Sequence, residues 1–423
     1  MKTSSMKNKA GSKCNGAGLS LWLGVFCMCW GFGCGGDTVS KESKDAGPVD
    51  AVVAADGNYE DVQLDGAQAL DGDTPDDGST IHDVAILQDG DIEIDGGVEC
   101  FNTVYMKTTG DDGLDGANPA TAVATLGRVQ EILKAEAPEC EVDVRIEQGV
   151  YSGQTVIWDY YHPEYKVKFM PIDYYGGGIG SIDGRPVFDG LGASYLFRLN
   201  VSDGEPTNIE FIYLRFEHYQ QYALHFAGNR NDYVNGWNGF NRVFGCYFYE
   251  IGNLASSGDP GYGALDLVNS IENVVRNNHF LKNENTSSQA GLMHSVYLAH
   301  GSGWNEISNN QFHEVSGDPI RARDYSNFND VSDNVFFDTG SVAFYSDWWC
   351  DMSQNPNCTK TGGECPSWEN EFRNNELHCG YSGGSISTFH YFQGETYVPD
   401  WCDDHLGDGW ARLYTSGNSK TCP

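Results

Sequence analysis

Polar and apolar residues alternate in short runs over most of the chain. Runs at 142–147, 155–158 and 166–170 are separated by turns rich in Gly, Asn and Asp, a pattern that predicts short β-strands. One upstream stretch differs. Val123, Leu126, Val129 and Leu133 recur at helical spacing and predict a helix over 123–134. A strand at 103–107 and a turn-rich segment at 109–121 precede it, and beyond it helical periodicity nearly vanishes.

A repeat governs the rest. Five segments match N-x-[VIF]-x-x-x-x-[FL], at 241–248, 273–280, 305–312, 329–336 and 370–377. The closing apolar positions Phe216, Phe248, Phe280, Phe312 and Phe336 are spaced 32, 32, 32 and 24 residues apart. A unit of this size, built of short strands and polar turns, cannot bury its own apolar face, so successive units must stack around one shared core. Asn278, Asn310, Asn334 and Asn375 share one position in the unit and predict an asparagine ladder at a turn. The lack of a helix in each unit disfavours leucine-rich and ankyrin solenoids. The spacing is also short for propeller blades.

With this repeat the sequence resembles the right-handed parallel β-helix superfamily, the pectate-lyase-like proteins, over roughly residues 100–395. The entry segment from Thr108 to Leu126 is similar to the G-x-D-x-x-x-G-x-x-P-A-T-x-x-x-T-L opening that precedes the capping helix in many secreted members. The resemblance implies an all-β fold, a right-handed parallel β-helix solenoid with a short N-terminal capping helix. It leaves activity open, because the superfamily includes lyases, hydrolases, epimerases, phage spikes and adhesins.

Charge narrows the partners. The 423 residues hold 25 Lys+Arg against 60 Asp+Glu, a formal charge of -35, with no basic run, so nucleic acid is excluded as a partner. At the N-terminus Lys2, Lys7 and Lys13 precede the apolar run 19–32, which is too short to span a bilayer comfortably and reads as an export signal. The small residues before Cys34 resemble the lipobox of bacterial lipoproteins, which implies that Cys34 is lipidated, an outer-membrane or cell-surface location, and contact with the membrane through that anchor. Ordinary cleavage and secretion is the alternative.

Between residues 35 and 99, 18 acidic residues face only Lys41 and Lys44, and Asp-Gly pairs recur. Like-charge repulsion and low hydrophobicity make this stretch an unfolded tether. A calcium reading of its Asp residues competes, but residues 89–94 lack the glycine an EF-hand loop needs at its sixth position. The expected organisation is therefore a signal at 1–34, a linker at 35–99, the β-helix at 100–349, and its last coils with a cysteine-rich cap at 350–423.

In an exported chain, Cys100 and Cys140 at the edges of the first folded segment, and Cys350, Cys358, Cys365, Cys379, Cys402 and Cys422 near the C-terminus, predict disulfides. None has zinc-site C-x-x-C spacing. Cys246, inside an apolar strand pattern, is expected to be a small buried hydrophobe.

Registering the repeats on their Asn puts Leu265, Tyr297 and Arg321 in one column and Leu267, Ala299 and Arg323 in another. Strand alternation sends Ser295, Tyr297, Arg321 and Arg323 outward. His294 and Asp318 begin the same strand position in successive coils, while His300, Asp324, Tyr345 and Trp304 lie near that surface. Two arginines within five residues form a local positive site on an acidic molecule, suited to an acidic glycan. In lyase chemistry Arg321 and Arg323 would neutralise a uronate carboxylate, Tyr297 or His294 would move protons, and Asp318 or Asp324 would orient a partner. An exposed charge cluster is the competing reading.

The region 317–323 resembles the chondroitinase and alginate lyase branch, which implies Lys282 as a base. The R-x-P-x-x-R, D-P-H-D and G-H-G signatures of other branches are missing. Loop aromatics offer stacking platforms for sugar rings, so a non-catalytic adhesin or glycan-binding lipoprotein is the alternative to an enzyme. The chain is expected to act as a monomer on extracellular acidic polysaccharide. No cofactor is certain, and Ca2+ is possible.

Overall fold

The computed structural model describes residues 100, 102–174, 184–340, 342–347, 363–386, 390–391, 402 and 413–422. The leader, Cys34, the acidic linker, Cys350 and Cys358 lie outside them. No helix among the described residues is long and apolar enough to cross a membrane.

Each repeat is one coil carrying three strands, and equivalent strands of successive coils pair in parallel. In one coil these are Val274–Arg276, His279–Asn283 and His294–Ala299. The first sheet runs from Thr103–Met106 through Val142–Ile146 to Asn370–Arg373 and Leu413–Ser416. The second begins with Val150–Ser152 and passes through Tyr247–Tyr249 and Val335–Thr339. The third begins with Val156–Trp158 and passes through Leu224–Ala227, Gly263–Val268, Ile320–Arg323 and Phe344–Asp347 to His390–Tyr391. The fold is therefore the parallel β-helix that the repeat predicts.

Inside, the repeat phenylalanines stack. Phe248, Phe280, Phe312 and Phe336 are fully buried, with successive ring centroids 4.6, 5.0 and 4.8 Å apart and planes within 14°. Stacking lets each coil bury an aromatic face that it cannot bury alone.

Two asparagine ladders flank this stack. The predicted one links Asn278, Asn310, Asn334 and Asn375 and continues to Asn418, with each Nδ2 donating to the next Oδ1. The second is made by the motif's leading Asn, from Asn241 through Asn273, Asn305 and Asn329 to Asn370. Cys246 occupies the first ladder's N-terminal position, where its N–H donates to Asn278 Oδ1 at 2.8 Å. It is a buried thiol, pushed up to about 12 by that burial.

The helix, α1, spans Leu126–Glu136, starting three residues later than periodicity predicts. Thr125 sets the start, because its side chain accepts from Arg128 N–H at 3.1 Å and caps the first turn. Val123 instead pairs with Met106. Leu126, Val129 and Leu133 close the N-terminal end of the core. Disulfides join Cys100 to Cys140, Cys365 to Cys402 and Cys379 to Cys422.

Candidate functional site

The third sheet presents one outward column that crosses successive coils: Ile157, Arg198, His225, Asp266, Tyr297, Arg321 and Tyr345. Between them, Val296, Leu298, Ile320 and Ala322 are fully buried, as strand alternation requires. Adjacent strands lie ~4.8 Å apart, so these side chains form a continuous row.

The Tyr297 to Arg321 register agrees with the Asn-based alignment, and the Leu265 to Tyr297 register does not. Asp266 pairs with Tyr297, and Leu265 with Val296 inside the core. The loop before His294–Ala299 is one residue shorter than its equivalent one coil earlier. The corner after the strand restores the count, with His300 and Gly301 opposite Asn269 alone. Val268, and not Leu267, therefore faces Ala299. Ser295, expected outward, is buried and accepts from Asn283 Nδ2 at 3.1 Å.

Five of the expected residues, His294, Tyr297, Arg321, Arg323 and Tyr345, meet at the centre of the row. His294 is 1% exposed, with Nδ1 2.6 Å from the Asp318 carbonyl oxygen and Nε2 3.3 Å from Arg321 Nη1. Burial, reinforced by the Arg321 guanidinium, holds its pKa well below the usual histidine value. The ring is neutral, donates from Nδ1 and accepts at Nε2. It stacks on Tyr297 with centroids 5.5 Å apart, and Arg321 lies over the Tyr345 ring at 5.2 Å.

Tyr297 is half-buried, and its oxygen accepts from Arg323 Nη1 at 3.3 Å. Burial raises its pKa, and the lowering by Arg323 and Arg321 does not overcome this. The hydroxyl is therefore a proton donor at neutral pH. Arg323 itself is paired with Glu364, a residue with no expected role, through Nε to Oε2 at 3.0 Å and Nη2 to Oε1 at 2.8 Å. The Asn329 to Asn370 offset of 41 residues also carries Arg323 to Glu364, and was the one signal in the sequence for this partner.

The other expected residues fall elsewhere. Asp324 is buried at the corner beyond Arg323, where it accepts from the Tyr233 hydroxyl and from Cys365 N–H at 2.9 Å, and lies 2.8 Å from His300 Nδ1. It and His300 thus belong to a structural knot that pins the 229–237 insertion. Asp318 enters the site through its backbone carbonyl. Trp304 is 52% exposed at the next corner, stacked on Phe328 at 5.1 Å. Lys282 is carried by the second sheet, where it lines a depression with Glu250, Glu284 and Glu314. That face is separate from the Tyr297 row, which removes its expected role as a base there.

Two further members of the row escaped the sequence reading. His225 Nδ1 lies 2.8 Å from Asp266 Oδ2, and His225 stacks on Tyr222 at 4.7 Å. Asp266 Oδ1 is buried without a hydrogen-bond partner. The one group of three metal-capable side chains among the described residues, Asp189, Glu217 and His218, is on the second sheet. There His218 bridges Asp189 and Glu250 at 2.9 and 3.3 Å.

No protein-family model matches the chain, and no curated protein sequence matches it. Several solved structures resemble it at low identity. A lacto-N-biosidase from Eubacterium ramulus shares 13% identity with a TM-score of 0.41, over 76% of this chain and 55% of that one. An alginate lyase from Paenibacillus sp. shares 11% with a TM-score of 0.40, over 75% and 95%. A rhamnogalacturonan lyase shares 13% with a TM-score of 0.30, over 68% and 85%. The likeness bears on nothing beyond the fold, which the strand register establishes by itself.

Proposed function

We propose that the third-sheet row binds an extracellular acidic glycan and cleaves it by β-elimination. The observation that carries this reading is the placement of the Tyr297 phenol beside two arginines of the next coil, bonded to Arg323 and in register with Arg321. On a chain of formal charge -35 such a site is a local attractor for a uronate carboxylate. Arg321 neutralises that carboxylate and so acidifies the C5 proton. The Asp266–His225 pair takes the proton, and the Tyr297 hydroxyl protonates the departing glycosidic oxygen. His294 is too buried to touch a sugar and acts by holding Arg321.

The three disulfides among the described residues support an oxidising, extracytoplasmic location, in line with the export signal and with lipidation at Cys34. A non-catalytic glycan receptor is the second reading. It is favoured by the mutual pairing of Arg323 with Glu364 and of His294 with Asp318, which makes the surface rigid before any ligand arrives.

The test is incubation of the full chain with pectate, alginate, glycosaminoglycans and ulvan, with and without Ca2+. Gain of the ultraviolet absorbance of a C4=C5 double bond, abolished by Arg321→Ala, is the expected result. Chain shortening without absorbance would make the protein a hydrolase. Retention on the glycan without shortening would make it a receptor.

A further inference from the structure

Glu364 belongs to segment 363–367, which leads into Asn370 and stacks on the preceding coil at the same offset of 41 residues. Cys365, its neighbour, is bonded to Cys402, donates its N–H to Asp324 Oδ1 at 2.9 Å, and accepts at its carbonyl from Tyr325 N–H at 3.4 Å. Ser367 Oγ accepts from Ser326 N–H at 3.1 Å, and Tyr325 Oη donates to the Cys402 carbonyl at 3.5 Å. The segment is thus fastened to the coil that carries Arg323 by backbone bonds, a carboxylate and a disulfide.

Glu364 is 8% exposed, and a carboxylate so buried persists only with a charged, hydrogen-bonded partner. Arg323 supplies it in fork geometry, through Nε and Nη2, with Nη2 also 2.6 Å from Oε2. This fixes the guanidinium plane and directs the remaining nitrogen, Nη1, at the Tyr297 hydroxyl.

We propose that Glu364 is a positioning residue for Tyr297, acting through Arg323, and that the Cys365–Cys402 disulfide is the tether that holds it there. The proposal rests on the reading of Tyr297 as the proton donor of a glycan site. Tyr297 is faced by His294 from its own strand, Asp266 from the preceding coil, Arg321 and Arg323 from the next, and Glu364 from the C-terminal segment. Both arginines favour the phenolate, while Asp266 and Glu364 oppose it. Burial is the main reason the oxygen keeps its proton, and Glu364 adds to it by aiming the Arg323 N–H and offsetting part of the guanidinium charge.

The experiment is alkaline titration of tyrosinate absorbance in the full chain, each protein compared with its own Tyr297→Phe partner so that the difference isolates this one phenol. Removing the negative charge with Glu364→Gln is expected to move the Tyr297 ionisation to lower pH, and Glu364→Asp, which keeps the charge, to return it most of the way. An unchanged titration in folded Glu364→Gln overturns the proposal. If that variant does not fold, Arg323→Gln decides: removing the charge that Glu364 aims at the phenol is expected to move the Tyr297 ionisation to higher pH, and an unchanged titration overturns the proposal. The double variant Cys365→Ala, Cys402→Ala is expected to shift in the direction of Glu364→Gln, and a wild-type titration there overturns the tether. A chain that cleaves no glycan sinks the lyase reading, yet this titration still reads the role of Glu364.

Discussion

Asn310 Oδ1 accepts two hydrogen bonds from Asn278, one from its backbone N–H at 2.9 Å and one from its Nδ2 at 3.0 Å. Asn310 Nδ2 in turn donates to Asn334 Oδ1 and to the Val275 carbonyl. One side chain thus satisfies buried groups in the coils on both sides of its own. Asn310→Ala orphans several of them at about 1–3 kcal/mol each, and a loss of roughly 2–4 kcal/mol is expected. Urea unfolding measures it, with the exposed neighbour Gln311→Ala as a control that leaves the midpoint in place. Equal midpoints for the two variants would mean that the ladder contributes nothing to stability.

A buried histidine, His294, and a half-buried one, His279, set an acid limit on the fold. Burial lowers His279 from 6.5 to about 4, and His294 is held well below its usual value by burial and Arg321. Their folded pKa values lie below the unfolded one, so as pH falls below about 6.5 the unfolded chain takes up protons that the folded chain refuses. Stability from these groups is complete above about pH 6.5 and declines below it, until His279 protonates in the folded state near pH 4. For His279 the loss is on the order of 2 kcal/mol, allowing for its partial exposure. Thermal unfolding at pH 7 and pH 4.5 is expected to show a smaller difference in His279→Gln and His294→Gln than in wild type. An unchanged difference in both variants would assign acid sensitivity to other groups.

Arg321 is expected to need its planar fork. Arg321→Lys keeps the charge but loses bidentate geometry and the face over Tyr345. Under the lyase reading it should retain glycan binding while cleavage falls by about 10²-fold, and Tyr297→Phe should fall by about 10²–10⁴-fold, the usual contribution of a positioned acid. Steady-state cleavage separates these effects from binding. Full activity in Tyr297→Phe would remove the hydroxyl from the mechanism.

The fold was readable because a solenoid puts the same residue at the same place in every coil. Phe280 and Phe312 stack, and Asn278 and Asn310 bond, at the spacing their motif predicts. Tyr297 and Arg321 were readable for the same reason, since no insertion separates them from their Asn. Asp266 was hidden by two length changes that cancel between one Asn and the next and shift only the strand between them. Glu364 was hidden because its coil is set off by 41 residues, where the preceding offsets are 32 and 24, so that only the Asn329 to Asn370 spacing leads from Arg323 to it. Alternation could also say that Arg323 points outward, but not that a buried carboxylate waits for it.

The corrected register makes its own prediction. Leu265 is fully buried and Asp266 is its outward neighbour, so the two positions should fail in opposite ways. Leu265→Ala opens a cavity in the core and is expected to cost about 2–5 kcal/mol of stability. Asp266→Asn keeps the volume and, under the lyase reading, removes the charge that orients His225 and receives the C5 proton. Its unfolding midpoint should stay near wild type while cleavage drops by at least about 10²-fold. Parallel denaturation and cleavage assays on both variants check this. If Leu265→Ala lost activity at full stability and Asp266→Asn did the reverse, Leu265 would belong to the outward row and the register of the Gly263–Val268 strand would be wrong by one residue.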